Sequence, residues 1–325
     1  MSKKILISQK IPKEAVEIAR QNFEVEYNED ENALPPEELK KRLQDKNGVI
    51  CLLTDKMNGE VMDAAPNLEV IANVAVGFDN IDVNAASERN IAVTNTPGVL
   101  TDTTADLGWA LIMSVGRRIV EADQYMRTGE WPGWGVMQWW GSDIHHATLG
   151  ILGFGRIGKT LAKRALGFEM KVLYYDAIRA PEEEEKALNV QFVDKDTVIK
   201  EADFLSVHVP LMPETVHTIS EKELKMMKKT AFLINTSRGP TVDEKALVKA
   251  LQNKEIAGAG LDVYEKEPIM EPELADMKNV VVLPHIASAS INTRTRMGTM
   301  AAENCVAALK EEIPPACVNP EIYKK

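Results

Sequence analysis

The sequence predicts an α/β protein built as two doubly wound parallel-sheet lobes, and three observations carry that prediction. The chain has 325 residues, about twice an ordinary domain, so two domains are expected, each able to bury its own core. Short β-branched runs alternate with amphipathic stretches along its whole length. That alternation calls for crossover connections, and hence for parallel sheets covered on both faces. The same grammar runs through the first third and again through the middle, on either side of a long helical segment whose interior has no proline.

In the first third, KILIS, FEVEY, GVICLL, EVIANVAV and IAVTN read as strands. Helical patterns over residues 12–20, 36–44 and 81–88 separate them. The segment DTTADLGWALIMSVGRRIVEADQYMRTGE is expected to form one helix of about twenty-five residues, capped by Asp102 and serving as a hinge. TLGILG, MKVLYYD, DFLSVHVP, TAFLINTS, AGAGLDV and NVVVLPH are the second set of strands. The acids Glu182 to Glu185 follow Pro181 and read as a first helical turn, where negative charge complements the helix dipole. Residues 288–309 form a last helix, followed by the proline-broken tail IPPACVNPEIYKK. The expected domains are 1–100 plus 288–325, and 101–287.

Composition narrows the function. Lys and Arg number 38 against 49 Asp and Glu, a net charge of -11, so phosphate backbones and anionic lipid surfaces are poor partners. An anionic substrate must be drawn in by local cations. Cys51, Cys305 and Cys317 show no paired spacing, so neither a disulfide framework nor a zinc site is expected. His145 and His146 are adjacent and make a poor metal pair, and no metal is expected. The opening MSKKILISQK has too short an apolar run for a signal peptide, and no stretch is long enough to span a bilayer. A soluble, cytoplasmic protein is expected.

The sharpest local signal is Gly153-Phe154-Gly155-Arg156-Ile157-Gly158. It follows the strand TLGIL, opens an amphipathic helix over residues 156–166, and is followed about twenty residues on by Asp176 at the end of the next strand. Gly153 allows the tight turn, Gly155 lets the backbone approach a pyrophosphate, and Gly158 lets helix and strand pack closely. The helix N-terminus offers amide donors to the pyrophosphate. A carboxylate at Asp176 accepts hydrogen bonds from ribose hydroxyls and repels a 2′-phosphate, so NAD is expected rather than NADP. Arg179 would attract that phosphate, whereas Glu182 to Glu185 oppose it.

Three later strand ends carry polar groups, where open α/β sheets place ligands. LINTSRGP carries Arg238, GLDVYEKEP carries Asp262, Glu265 and Glu267, and VVLPHIASAS carries His285. An Arg, a Glu and a His beside a dinucleotide suit hydride chemistry on a carbonyl next to a carboxylate. Arg grips the carboxylate in its fork, His gives the carbonyl oxygen a proton, and Glu stabilises the imidazolium.

These segments, together with NVAVGFDNIDV and VTNTPGVLTDTTAD in the first lobe, resemble the D-2-hydroxyacid dehydrogenases over nearly the whole chain, most closely the glyoxylate/hydroxypyruvate reductases. The resemblance implies a Rossmann cofactor domain and a flavodoxin-like substrate domain with a catalytic cleft between the lobes. It implies Arg238, Glu267 and His285 as the catalytic set, with the backbone around Val76 and Gly77 helping to hold the substrate carboxylate. Thr104, Arg156, Ile157, Asp176, His208, Val209, Thr236 and Asp262 match positions that line the cofactor. It also implies a homodimer. The chain ends soon after its last helix, so the regulatory domain of many phosphoglycerate dehydrogenases is not expected. Val76 stands where the phosphite-oxidising branch has lysine. Ile286-Ala287-Ser288-Ala289-Ser290 resembles the glyoxylate and glycerate branch more than the lactate branch. Asp176-Ala177 departs from several archaeal glyoxylate reductases, which have a small hydroxyl residue and arginine there. Another 2-hydroxyacid dehydrogenase of the phosphoglycerate or D-lactate type, or an NAD-sensing corepressor-like module, is the alternative.

Four of the five tryptophans lie between Trp131 and Trp140. They read either as the anchor of a long loop or, from the resemblance, as a dimer arm bringing Trp139 or Trp140 near a partner's cleft. His217 and Cys305 read as ordinary helix or loop residues.

Overall fold

The computed structural model describes residues 2–324. The chain divides into two compact units, Met1–Leu100 with Ala289–Lys325, and Thr101–Ser288.

The first unit is a five-stranded sheet of β1 (Lys4–Ile7), β2 (Glu24–Tyr27), β3 (Gly48–Cys51), β4 (Val70–Asn73) and β5 (Ala92–Thr94), in the order β2-β1-β3-β4-β5. Every pairing is parallel, the flavodoxin-like order. Alternate side chains face opposite ways along a strand, and here both faces are covered. Leu6, Val49, Ile71 and Val93 enter one core, and Ile5, Ile7, Ile50, Val70 and Ala72 the other. The helix Ile291–Leu309 packs on the second face through Ala301, Ala302, Cys305 and Leu309. Its small residues permit a close fit, since a Cβ on Gly298 would lie 3.2 Å from both Ala15 and Pro12. The tail then runs along β5, where the buried Asn319 accepts from the Val93 N–H at 2.8 Å and donates to the Ile91 carbonyl at 2.9 Å.

The second unit is a seven-stranded parallel sheet of β6 (Thr148–Leu152), β7 (Lys171–Tyr175), β8 (Val190–Phe192), β9 (Phe204–Val207), β10 (Phe232–Asn235), β11 (Gly258–Leu261) and β12 (Val280–Val282). The order is β12-β11-β10-β9-β6-β7-β8. Strand order reverses between β6 and β9, and ligands of doubly wound sheets bind at such a switch point, outside the carboxyl ends of the strands. The helix Arg156–Ala165 follows β6 and buries Gly158, Leu161, Ala162 and Ala165 against the sheet.

Four local readings change. The expected single long helix is two, Thr101–Gly116 and Ile119–Thr128. A Cβ on Gly116 would sit 2.6 Å from Ile144 and 3.0 Å from the Phe204 ring, and the Gly116 carbonyl accepts from the Ser142 N–H at 2.7 Å. Packing of the 141–144 segment thus takes over the helix end, and Arg118 turns left-handed at φ 55. Asp102 lies inside the first turn of its helix rather than capping it. The short strand β8 was not anticipated; its VQF run is too short to show a period. The last helix begins at Ile291, with Ser290 accepting from the Thr293 N–H at 3.2 Å.

Candidate active site

The fingerprint turn has the geometry its glycines require. Gly153 has φ 91, and a Cβ there would lie 2.6 Å from the His208 carbonyl carbon. A Cβ on Gly158 would lie 2.3 Å from the Gly153 oxygen, whereas one on Gly155 would meet nothing within 4 Å. Gly153 and Gly158 are thus demanded by the fold itself, and the open side of Gly155 is demanded by nothing in the protein. The helix that starts at Arg156 has no side-chain cap, so its first amides face outward. Asp176, at the end of β7, accepts the Phe154 N–H at 2.6 Å and the Ile178 N–H at 3.1 Å.

At the ends of β10, β11 and β12 the polar groups converge. His285 Nδ1 lies 2.8 Å from Glu267 Oε2, with the two side chains 27% and 31% exposed. They are shielded enough for a strong pair and open enough for a ligand. The other Glu267 oxygen accepts the Tyr264 N–H at 3.1 Å. Burial pushes the Glu267 carboxyl up, but the His285 hydrogen bond and charge, the Tyr264 amide and the Arg238 charge together bring it below its ordinary value. Glu267 is therefore a carboxylate at neutral pH, and Nε2 is the imidazole nitrogen left to meet a ligand.

His285 itself has φ 52, a left-handed conformation that costs a non-glycine residue about 1–3 kcal/mol. Asp262 holds it there. That carboxylate is fully buried and accepts the next two amides, Ile286 at 2.7 Å and Ala287 at 2.8 Å. Burial raises the Asp262 carboxyl and the two amides only partly offset this.

Arg238 is delivered by a turn that the preceding asparagine builds. Asn235, 1% exposed, accepts the Ser237 N–H at 3.0 Å and the Ser237 hydroxyl at 2.8 Å, and donates to the Arg238 carbonyl at 3.0 Å. The next residue must be glycine, because a Cβ on Gly239 would fall 1.8 Å from the Tyr264 carbonyl carbon. This contact brings the Arg238 turn against the loop that carries Glu267. The buried Glu244 fixes the same loop by accepting the Glu265 N–H at 2.9 Å and the Glu271 N–H at 2.7 Å. The Glu267–Pro268 peptide within it is cis.

With this geometry in view, comparison with known proteins decides the family. The D-isomer specific 2-hydroxyacid dehydrogenase NAD-binding domain matches residues 109–287. The glyoxylate reductase of Thermococcus litoralis is 49% identical over 326 residues, covering 99% of this chain and 98% of that protein. The chain belongs to the D-isomer specific 2-hydroxyacid dehydrogenases. A Thermus thermophilus structure superposes with a TM-score of 0.91 at 42% identity, covering 97% of this chain and 99% of that one. An NADPH-dependent glyoxylate/hydroxypyruvate reductase from Sinorhizobium meliloti, solved with NADP and malonate, gives 0.88 at 34% identity, covering 98% and 97%.

The second unit of this 2-hydroxyacid dehydrogenase fits the NAD that its family binds. Gly155 offers open backbone and Arg156 and Ile157 open the helix beside it. The Thr236 hydroxyl is buried without a hydrogen-bond partner, an orphan that a cofactor amide or hydroxyl would satisfy. Thr104 is buried in the first turn of its helix. His208, next to Val209, accepts or donates to the Ser206 hydroxyl at 2.8 Å, and burial pushes its imidazole down to about 4. It is neutral at neutral pH.

Val76 and Gly77 belong to the first unit, on the turn after β4. Asn95 donates to the Val76 carbonyl at 2.7 Å, and the fully buried Asn73 to the Gly77 carbonyl at 2.9 Å. With both carbonyls engaged, the peptide planes of this turn are fixed. Glu265 pairs with His217, so the histidine read as ordinary holds an acid on the loop that carries Glu267. Asn235, Gly239 and Glu244 were not singled out from the sequence. The asparagine before the S-R-G turn is a legible turn signal; the other two depend on loops far apart in the chain.

Trp139 anchors its loop, 4.9 Å from the Tyr125 ring and under the Arg118 guanidinium at 5.0 Å. Trp134, Val136, Met137 and Trp140 are exposed. Among the described residues no helix is long and apolar enough to cross a membrane.

Proposed function

We propose that this dehydrogenase uses NADH to reduce a small 2-oxo acid, glyoxylate or hydroxypyruvate, to the 2-hydroxy acid. The observation that carries this reading is the 2.8 Å pair of His285 and Glu267 on a loop held against the Arg238 turn. Bound NADH supplies the hydride. Arg238 takes the substrate carboxylate in its fork and so aims the 2-oxo group. His285, charged, hydrogen-bonds the carbonyl oxygen through Nε2 and passes it the proton as negative charge develops there. Glu267 stabilises the imidazolium before transfer, and a neutral His285 takes the proton back in the oxidative direction. The substrate class follows the named relatives and the IASAS segment after His285.

Steady-state loss of NADH with glyoxylate, hydroxypyruvate, pyruvate and phenylpyruvate tests the reading. Turnover should be most efficient with one of the first two. No turnover with any of the four would overturn it. Cofactor choice is tested in the same assay. Asp176 faces a 2′-phosphate with like charge, so efficiency with NADH should exceed that with NADPH by at least about tenfold, a difference on the order of 1.4 kcal/mol. Equal efficiency would remove Asp176 as the determinant.

The exposed apolar side chains of the 131–140 arm and of the helix Ile119–Thr128, which buries none of its residues, support a homodimer built on this arm, and we place the enzyme in the cytoplasm. Sedimentation should give a dimer that Trp134→Glu with Met137→Glu dissociates. A wild-type monomer would refute the assignment.

A further inference from the structure

The loop after β7 carries one cation as well as Asp176. Of residues 176–180, only Arg179 is positively charged, and a long cationic side chain three residues from the ribose-binding acid is placed to meet a 2′-phosphate. The structure shows where that charge goes. Arg179 Nε donates to Glu185 Oε1 at 2.9 Å and Nη2 to Oε2 at 2.7 Å, a two-pronged grip on one carboxylate. Glu185 is 6% exposed, unlike Glu182, Glu183 and Glu184, which remain at the solvated first turn.

Glu185 is held in turn from below. The Tyr174 hydroxyl donates to Oε1 at 2.6 Å and accepts the Ala180 N–H at 3.0 Å. The Tyr174 ring, wholly buried, stacks on Phe154 at 3.9 Å, and Phe154 is the residue whose amide binds Asp176. The Arg179 guanidinium also lies over the Phe192 ring at 5.6 Å. On the fingerprint helix, Lys159 is paired with Glu184 at 2.6 Å, while Arg156 opens the helix at the pyrophosphate turn rather than on the loop after β7.

We propose that Glu185 is a cofactor-specificity residue: by sequestering Arg179 it keeps the loop after β7 electrostatically negative, so that Asp176 alone faces the ribose. This rests on the reading of Asp176 given above. Exclusion of a 2′-phosphate is then achieved twice, by an acid that repels it and by neutralising the arginine that would attract it. The Glu185 carboxyl is lowered to about 2 by the Arg179 and Tyr174 hydrogen bonds, burial opposing them, so the lock stays closed throughout the neutral range.

The test compares kcat/KM with NADPH and with NADH in wild type, Glu185→Gln, Glu185→Gln with Arg179→Ala, and Arg179→Lys. Gln keeps the size and the Tyr174 contact but not the charge. The NADPH-to-NADH ratio should rise about fivefold in Glu185→Gln, the scale of one exposed charge contact. It should return to the wild-type value when Arg179 is also removed. Arg179→Lys cannot fill the two-pronged grip and should shift the ratio the same way by less, which keeps the test open should Glu185→Gln fold poorly. Equal losses with both cofactors, or a raised ratio that survives removal of Arg179, would overturn the proposal. If wild type already uses both cofactors equally, the Asp176 reading fails instead, and a ratio that rises in Glu185→Gln and returns when Arg179 is also removed would still stand for the lock.

Discussion

Replacing His285 with Ala is expected to abolish nearly all turnover in both directions, by about a hundredfold to ten-thousandfold, the contribution of a placed general acid or base. The pH profile carries more information than the loss itself. Reduction needs the imidazolium, so it should be active at low pH and fade as pH climbs; oxidation needs the neutral ring and should have the opposite slope. An adjacent anion favours a charged imidazole. Glu267 is that anion at neutral pH, because its carboxyl lies below the ordinary value of 4.5. The sign for stability follows: the pair supports the fold above the unfolded carboxyl pKa, and this support is lost as pH falls through the lowered folded value. Glu267→Gln keeps the volume and removes the charge that supports the imidazolium, so reduction should lose more efficiency than oxidation does. Profiles of kcat/KM for wild type and Glu267→Gln in both directions decide the matter. Equal losses in the two directions would detach Glu267 from His285, and Glu265 offers no replacement, since His217 already holds it.

Arg238→Lys is the second large effect. An ammonium keeps the charge but has no planar fork with which to grip both oxygens of a carboxylate. A 2-oxo acid held by one contact pivots, and misplacement by about 1 Å costs on the order of a hundredfold. We expect kcat/KM for the acid to fall at least about that much, with NADH affinity changed less than about twofold. The backbone turn should survive, because Asn235 and Thr241 bind the Arg238 carbonyl rather than its side chain. Fluorescence titration with NADH alongside steady-state kinetics separates the two quantities. Lost NADH affinity with full efficiency at saturating cofactor would move Arg238 from the substrate to the cofactor.

Most of the architecture was legible in the sequence because its signals are local. A strand buried on both faces is apolar along its length, as GVIC and GAGL are, and such runs stand out from the amphipathic stretches around them. The fingerprint is equally local, since its turn, helix start and next strand end fall within one βαβ unit. What local pattern missed was decided by packing. Glycine at 116 is a weak helix former, but what ends the helix there is the neighbouring 141–144 segment packed against it. Glu185 stands in a run of four acids that look alike in sequence, and only its position on the helix turns it under Arg179.

By itself the sequence determined two parallel-sheet units, a glycine-rich turn at the first strand end of the second unit, and polar residues at three later strand ends, because hydrophobic period, glycine spacing and strand ends are properties of neighbouring residues. The tertiary structure decided how those residues are aimed. The order β10-β11-β12 sets side by side three loops that are dozens of residues apart in the chain. Gly239 lets two of them touch, Glu244 fixes the second, and Asp262 holds His285 in a left-handed turn. Each of these is a buried contact whose partner is distant in sequence, so its energy exists only once the sheet has formed.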